Sequence, residues 1–307
     1  MEKIKLICVV GATASGKTAL GVELAKALGG EIISADSMQV YKGMPVATAA
    51  ATEEEQGGIP HHLIEFLDTG ESFSVADFTG LARKKTAEII ERGKVPIIVG
   101  GTGLFIDSFV NNTVFSDVSV NEELREELNK KSSDELYEEL TALDPEAAKD
   151  IHKNNRKRVI RALELYYGGV SKTRQNAESH IEESPYDALY IGIGYKNRER
   201  LYGRINRRVD LMLENGLEAE AREMLSLAGK TAKQAIGHKE LQPYIEGKIT
   251  LDEAVESLKR ETRRYAKRQL TWFRRNEKIN WLYADELTHE ELVEKAVKAA
   301  KDFLKAE

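Results

Sequence analysis

The sequence predicts an α/β fold: a parallel sheet flanked by helices and interrupted by an all-helical insertion. Three observations predict it. Apolar runs of strand length alternate with helical patterns through the first third of the chain, and a glycine-rich turn closes the first of those runs. After residue 120 the strands stop, and none returns until residue 188.

The first apolar run, residues 6–10, reads as a buried strand, and residues 18–28 carry apolar side chains at helical spacing. Between them lies Gly11-Ala12-Thr13-Ala14-Ser15-Gly16-Lys17-Thr18, which fits G-x-x-x-x-G-K-[ST]. Backbone N–H groups of such a strand-to-helix turn converge on phosphate oxygens. The helix N-terminus adds partial positive charge and Lys17 a full one. Thr18 offers a hydroxyl to a magnesium ion. The sheet is therefore P-loop NTPase-like, but the turn alone leaves open which phosphorylated compound is bound and whether phosphate is transferred or leaves.

The second strand covers 31–34, a helix follows around 74–92, and the third strand, 96–99, runs into Gly100-Gly101-Thr102-Gly103. Ligands of a parallel sheet gather at the carboxyl ends of its strands. Three motifs land there: the phosphate turn, Asp36-Ser37-Met38-Gln39, and residues 100–103. A carboxylate at position 36 can ligate magnesium, accept a proton from a nucleophile or hydrogen-bond a base edge. Gln39 can make two hydrogen bonds to an adenine edge. A nucleotide-hydrolysing enzyme places an Asp at the end of a second strand to organise metal and water. Thr102 supplies a hydroxyl there but no carboxylate, so ordinary ATP hydrolysis is poorly provided for.

From 121 to 167, Glu, Leu, Ala, Lys and Arg recur at helical spacing, with Asp144-Pro145 as a cap and Gly168-Gly169 as a stop. The strand at 188–193 re-enters the sheet. The expected domains are thus 1–115 with 190–307 as the P-loop-like core, and 116–189 as the helical insertion. Helical patterns at 198–214, 217–227, 251–273 and 290–304 and a last strand at 279–283 complete the chain.

With 307 residues, 41% of them hydrophobic, the chain buries a full core. No run of about eighteen apolar residues occurs. Met1-Glu2-Lys3-Ile4 leads directly into the first strand, leaving no room for a signal peptide. A cytoplasmic monomer with no membrane partner is expected. The single cysteine, Cys8, excludes a disulfide framework and a cysteine zinc site. A net charge of −6 argues against a nucleic-acid partner only if it is evenly spread, and it is not. Lys153, Arg156, Lys157, Arg158, Arg161, Lys172 and Arg174 share a stretch with one acid, Glu164, whereas 122–139 is strongly acidic. A second basic run spans 259–275. Local fields decide phosphate binding more than net charge does.

The motifs in this order resemble those of the tRNA dimethylallyltransferases, also called tRNA isopentenyltransferases, over nearly the whole chain. The resemblance rests on the phosphate turn, Asp36-Ser37-Met38-Gln39-Val40-Tyr41-Lys42-Gly43-Met44, Pro60-His61-His62-Leu63 and Phe73-Ser74-Val75-Ala76-Asp77-Phe78. It continues through Val99-Gly100-Gly101-Thr102-Gly103-Leu104, Arg158-Val159-Ile160-Arg161-Ala162-Leu163-Glu164 and Ala266-Lys267-Arg268-Gln269-Leu270-Thr271-Trp272-Phe273. Three places depart from the family pattern. Pro45-Val46-Ala47-Thr48-Ala49-Ala50-Ala51 replaces a loop that usually carries a Gly and a Lys, Phe105 stands where Tyr is common, and His238 stands where Tyr is common.

The resemblance implies transfer of a dimethylallyl group from its diphosphate to N6 of adenosine 37, beside the anticodon of tRNAs reading codons that start with U. Residues Gly11 to Thr18 with Arg208 would hold the diphosphate, with Mg2+ at Thr18. The catalytic set implied is Asp36 as base, Thr102, Lys17 and Arg208. The tRNA contacts implied are Asp36, Ser37, Met38, Gln39, Thr102, Arg125, Lys157, Arg158, Val159, Ile160, Arg161, Gln234, Gly237, His238 and Lys239. Two further readings share the cradle: an adenylate isopentenyltransferase acting on free AMP, ADP or ATP, and a small-molecule kinase. A basic insertion favours the tRNA reading, since a mononucleotide needs no such surface.

Overall fold

In the computed structural model, residues 2–115, 118, 121–178, 183–227, 229 and 232–306 are described. Six strands form one all-parallel sheet: β1 (Ile4–Gly11), β2 (Gly30–Ala35), β3 (His61–His62), β4 (Val95–Gly100), β5 (Tyr186–Gly194) and β6 (Ile279–Tyr283). Their order in space is β3-β2-β4-β1-β5-β6. The register aligns Ile7 with Ile97 on one side of β1 and with Leu189 on the other.

The chain divides into two compact units, Met1–Val110 with Pro185–Glu307, and Asn111–Ser184. The first segment of the α/β unit carries α1 (Lys17–Leu28), α2 (Pro45–Thr48), α3 (Glu53–Gln56), α4 (Val75–Glu91) and α5 (Gly103–Val110). The helical unit holds α6 (Glu122–Lys130), α7 (Ser133–Leu143), α8 (Pro145–Asp150), α9 (Arg156–Tyr167) and α10 (Lys172–Glu178). The α/β unit then resumes with α11 (Arg198–Glu214), α12 (Leu217–Leu227), α13 (His238–Ile245), α14 (Leu251–Phe273) and α15 (His289–Lys305). No helix of the described residues is long and apolar enough to cross a membrane.

Strand alternation assigns the apolar side chains to two faces. Leu6, Cys8, Val10, Ile33 and Ile98 pack with Phe78 of α4, Phe105 and Phe109 of α5 and Phe273 of α14. Ile7, Val9, Ile32, Ile97 and Val99 pack with Leu20 and Leu24 of α1 and with Leu292 and Ala296 of α15. Right-handed crossovers require this arrangement. The path from β1 through α1 moves toward β2, whereas the path leaving β4 through α5 moves toward β5, so the two helices cover opposite faces. The adjacent ends of β1 and β4 are therefore a switch point, where a crevice opens for ligand.

The helical unit has its own core of Leu128, Leu136, Leu140, Ala148, Val159, Ile160 and Leu163. The helical segment expected at 121–167 holds four helices, with Asp144 opening α8 as expected and Ser132 and Asn155 opening α7 and α9. Ser132 does so with a reciprocal capping box to Glu135.

Several elements were not legible in the chain. Strand β5 starts at Tyr186, before the expected 188, because Asp187 pairs with Lys5 of β1 although its polarity hides it. The turn expected at 100–103 passes into α5 at Gly103. The run Leu-Phe-Ile-Asp-Ser-Phe-Val is apolar on most sides, and such short runs do not distinguish helix from strand. Helix α13 contains Pro243, a residue that argues against a helix in the sequence.

Candidate active site

The phosphate turn closes β1 and opens α1. Gly16, the residue before α1, has φ 101°, a left-handed conformation that glycine adopts without strain, and Ala14 is held at φ 60°. The Lys17 ammonium folds back onto the Ala12 carbonyl at 2.6 Å. Burial pushes its pKa down to about 7, the neighbouring Arg208 charge adds to this, and the Asp36 carboxylate opposes it. Ser15 Oγ is buried with no hydrogen-bond partner among the described residues. A lysine short of charge and an orphaned hydroxyl in one turn are what an anionic ligand would satisfy.

Asp36 follows β2 directly. Its Oδ1 accepts from the N–H of Met38 at 2.9 Å and of Gln39 at 3.4 Å, leaving Oδ2 for the cavity that Asp36 lines. The carboxylate thus both builds its turn and is aimed by it. Thr102, after β4, accepts from the Ser37 N–H at 3.1 Å and is hydrogen-bonded to the Tyr265 phenol. Burial holds that phenol well above the usual tyrosine range, and the Asp36 charge adds to the effect.

One cavity at the carboxyl ends of the strands is lined by Thr13, Lys17, Thr18, Ser34, Asp36, Gln39, Thr48, Arg208, Tyr265 and Gln269. Ile32, Ile64 and Val99 give it an apolar flank, and His61 lines it as well. A wider groove shares Lys17, Thr18 and Arg208 with it and adds Arg204 and Arg207 of α11. Burial also lowers the pKa of Arg208, against the pull of Asp36 and Glu55, and its guanidinium donates to the Thr48 carbonyl at 3.4 Å.

Gln269 of α14 ties two of the motif loops together. Its Oε1 accepts from the Thr13 N–H at 2.8 Å and its Nε2 donates to the Gly101 carbonyl at 3.0 Å. A Cβ on Gly101 would stand 2.2 Å from that nitrogen, so a larger residue there would displace the Gln269 amide. Tyr265 and Gln269 were missed as site residues. Their spacing of i and i+4 on one helix face, Gln269 within the 266–273 motif and Tyr265 just before it, was the available signal.

The expected RNA-contacting residues separate by burial. Lys157 and Arg158 are exposed on α9 with no ion pair among the described residues. Other members of the same basic run are engaged: Lys153 with Asp134, Arg156 with the carbonyls of Leu128, Asn129 and Lys131, and Arg161 with Glu164 and the Val118 carbonyl. Val159 and Ile160 point into the helical core at 0% and 6% exposure, so their side chains pack the unit and are withheld from an RNA. Arg125 is committed to the buried Glu164 carboxylate through two bonds of 2.5 and 2.9 Å. Gln234 and Lys239 are exposed, but Gly237 and His238 are buried, and His238 hydrogen-bonds Glu220 at 2.8 Å. Met38 is half-buried against the cluster of Val40, Tyr41 and Met44. Both ends of the Gln39 amide are also occupied: Oε1 accepts from Ser34 Oγ at 2.9 Å, and Nε2 donates to the carbonyls of Thr48 and Ala49, each at 3.3 Å. In this arrangement Gln39 holds a loop, with neither end of its amide free for an adenine edge.

Residues 39–276 match the family model described as IPP transferase, and residues 3–68 match that described as isopentenyl transferase. The tRNA dimethylallyltransferase of Caldanaerobacter subterraneus is 46% identical over 95% of this chain and 96% of its own. That of Carboxydothermus hydrogenoformans is 48% identical over 96% and 97%. The chain belongs to the tRNA dimethylallyltransferase family. Solved structures agree with this membership. The tRNA isopentenylpyrophosphate transferase of Bacillus halodurans superposes with a TM-score of 0.76 at 43% identity, over 99% of this chain and 97% of the other. A eukaryotic dimethylallyltransferase described as acting on tRNA gives 0.84 at 30% identity, over 98% and 79%. A member of this family is a prenyl-transferring enzyme, which accounts for a P-loop whose neighbouring strand ends in Gly-Gly-Thr-Gly in place of a metal-organising Asp.

Proposed function

We propose that this chain transfers a dimethylallyl group from dimethylallyl diphosphate to N6 of adenosine 37 in tRNAs reading codons that start with U, releasing diphosphate. The observation that carries this reading is the meeting in one cavity of an anion cradle, Lys17, Thr18 and Arg208, with a single aimed carboxylate, Asp36.

An adenine amino group is a weak nucleophile, because its lone pair is delocalised into the ring. Asp36 aligns N6 and takes its proton as the N6–C1 bond forms and the C1–O bond to diphosphate breaks. Charge grows on the departing oxygens, where Lys17, Arg208 and the N–H groups of residues 14–18 meet it. Tyr265 and Thr102 support the adenine side of the same cavity. Ile32, Ile64 and Val99 provide an apolar flank suited to a five-carbon chain.

Magnesium fits the donor set only as a diphosphate-bound ion. Among the described residues no cluster of three His, Cys, Asp or Glu side chains could hold a metal. The Thr18 hydroxyl would supply a protein ligand to the ion at the cradle. When bound, the ion neutralises charge on the leaving group.

A base stacked in an anticodon loop cannot reach this cavity, so adenosine 37 is flipped out of its stack. Lys157 and Arg158 meet RNA phosphates. Incubation with labelled dimethylallyl diphosphate and unmodified tRNA tests the reading, run beside free AMP and beside labelled ATP with a metabolite panel. Label in adenosine 37, located by mass spectrometry of the anticodon-loop nucleosides, is expected. Label in AMP alone would make the protein an adenylate isopentenyltransferase, phosphate transfer from ATP would make it a kinase, and RNA retention without product would leave a binding module.

A further inference from the structure

Two departures from the family pattern, the 45–51 loop and His238, meet at one carboxylate. Glu220 of α12 accepts the Val46 N–H at 2.7 Å on Oε2 and the Ala47 N–H at 2.9 Å on Oε1, and that Oε1 also lies 2.8 Å from His238 Nε2. Facing a carboxylate, Nε2 carries the proton and donates. Nδ1 is buried and has no hydrogen-bond partner among the described residues, so the ring is turned wholly to Glu220. Ala47, Leu217 and Leu241 form the apolar surroundings, in which hydrogen bonds are strong and missing ones costly. At its far end the same loop presents the Thr48 carbonyl to Gln39 and Arg208, and the Ala49 carbonyl to Gln39.

We propose that Glu220 and His238 form a clamp that sets the position of the 45–51 loop and, through Thr48, the position of Arg208 at the cradle. They are positioning residues: neither lines the cavity, and both act through the loop. The inference rests on Arg208 meeting the diphosphate, as proposed above. The clamp itself is visible in the free protein, so it can be tested without any transfer reaction.

His238→Phe keeps an aromatic ring and removes the donor, whereas His238→Gln returns an amide N–H at similar reach. Hydrogen exchange at the Val46 and Ala47 amides is expected to quicken about tenfold in His238→Phe and to return close to wild type in His238→Gln. Inorganic diphosphate should bind several-fold more weakly to His238→Phe. In the transfer assay, the KM for dimethylallyl diphosphate should rise and kcat fall about tenfold, with the KM for tRNA unmoved, because a misplaced cradle affects the leaving group alone. If His238→Phe fails to fold, Glu220→Gln, which turns one acceptor into a donor facing a backbone N–H, should quicken the same two amides. Unchanged exchange in folded variants, or a His238→Gln protein that behaves like His238→Phe, would overturn the clamp. A wild-type protein inactive on tRNA would sink the proposed function while the exchange result still stood.

Discussion

The α/β unit and the helical unit meet the demands of folding in opposite ways. The helical unit satisfies nearly every rule locally: capping side chains open α6, α7 and α8, leucines and alanines fill its core, and Glu164, a buried acid, is held by Arg125 and Arg161. Its unspent chemistry lies on the surface, in Lys157 and Arg158. The α/β unit instead leaves polar atoms unsatisfied inside. Ser15 Oγ, His61 Nε2 and His238 Nδ1 are buried without hydrogen-bond partners among the described residues, Lys17 is held short of its charge, and Ala14 and Ala49 adopt left-handed backbone. Strain and unpaired groups of this kind concentrate where a ligand completes the structure. The contrast separates a unit that keeps unsatisfied polar groups inside from one that keeps uncommitted charge on its surface.

The severest test of that division is Asp36→Asn. It keeps the hydrogen bonds to the Met38 and Gln39 N–H groups and removes the proton acceptor, so turnover should fall on the order of 10²–10⁴-fold. Affinity for tRNA and for inorganic diphosphate should hold. Near-wild-type turnover would remove the base from the mechanism.

Leu163→Ala probes the other unit. Leu163 is fully buried in the helical core, and its truncation should cost about 2–5 kcal/mol of stability. If the division is real, inorganic diphosphate titrated into the variant below its melting temperature binds as it does to wild type, while tRNA binding is lost. Loss of diphosphate binding would merge the two units functionally.

Lys17 sharpens the comparison through pH. Its pKa near 7 in the ligand-free fold lies below the ordinary 10.5, so the unfolded chain binds more protons between these values. Stability of the free protein should therefore rise with pH from about 7 toward 10 through this group, and below 7 its full destabilising effect is present. Lys17→Met should flatten that rise in thermal melts. Diphosphate favours the charged form, so wild-type affinity should weaken above pH 7 by up to about tenfold per unit, with proton uptake measurable by calorimetry in buffers of different ionisation enthalpy. A Lys17→Met protein retaining wild-type affinity and pH dependence would refute the cradle.

The smallest expected effect belongs to the exposed pair. Lys157→Ala and Arg158→Ala should each weaken binding of an anticodon stem-loop and make its salt dependence shallower by about one unit or less, with diphosphate binding unmoved. Filter binding at several salt concentrations checks this. An unchanged slope in the double variant would return α9 to ordinary solvated surface.

What the sequence determined by itself was everything carried by short-range spacing. The P-loop, the strand alternation that divides Leu6, Cys8 and Val10 from Ile7 and Val9, the helices at 198–214, 217–227 and 251–273, and the placement of Asp36 and Thr102 at strand ends all follow from local periodicity and turn chemistry. The tertiary structure alone decided which residues share a partner. Gln269 reaches Thr13 across 256 residues, Glu220 reaches Val46 across 174, and Arg208 reaches Thr48 across 160. It also decided that Val159, Ile160 and His238 turn inward while Lys157 and Arg158 stay exposed, with no ion pair among the described residues. A motif specifies residue types at intervals of a few positions, whereas burial and hydrogen-bond partnership depend on elements brought together by the sheet order and the packing of helices, which no interval in the chain records.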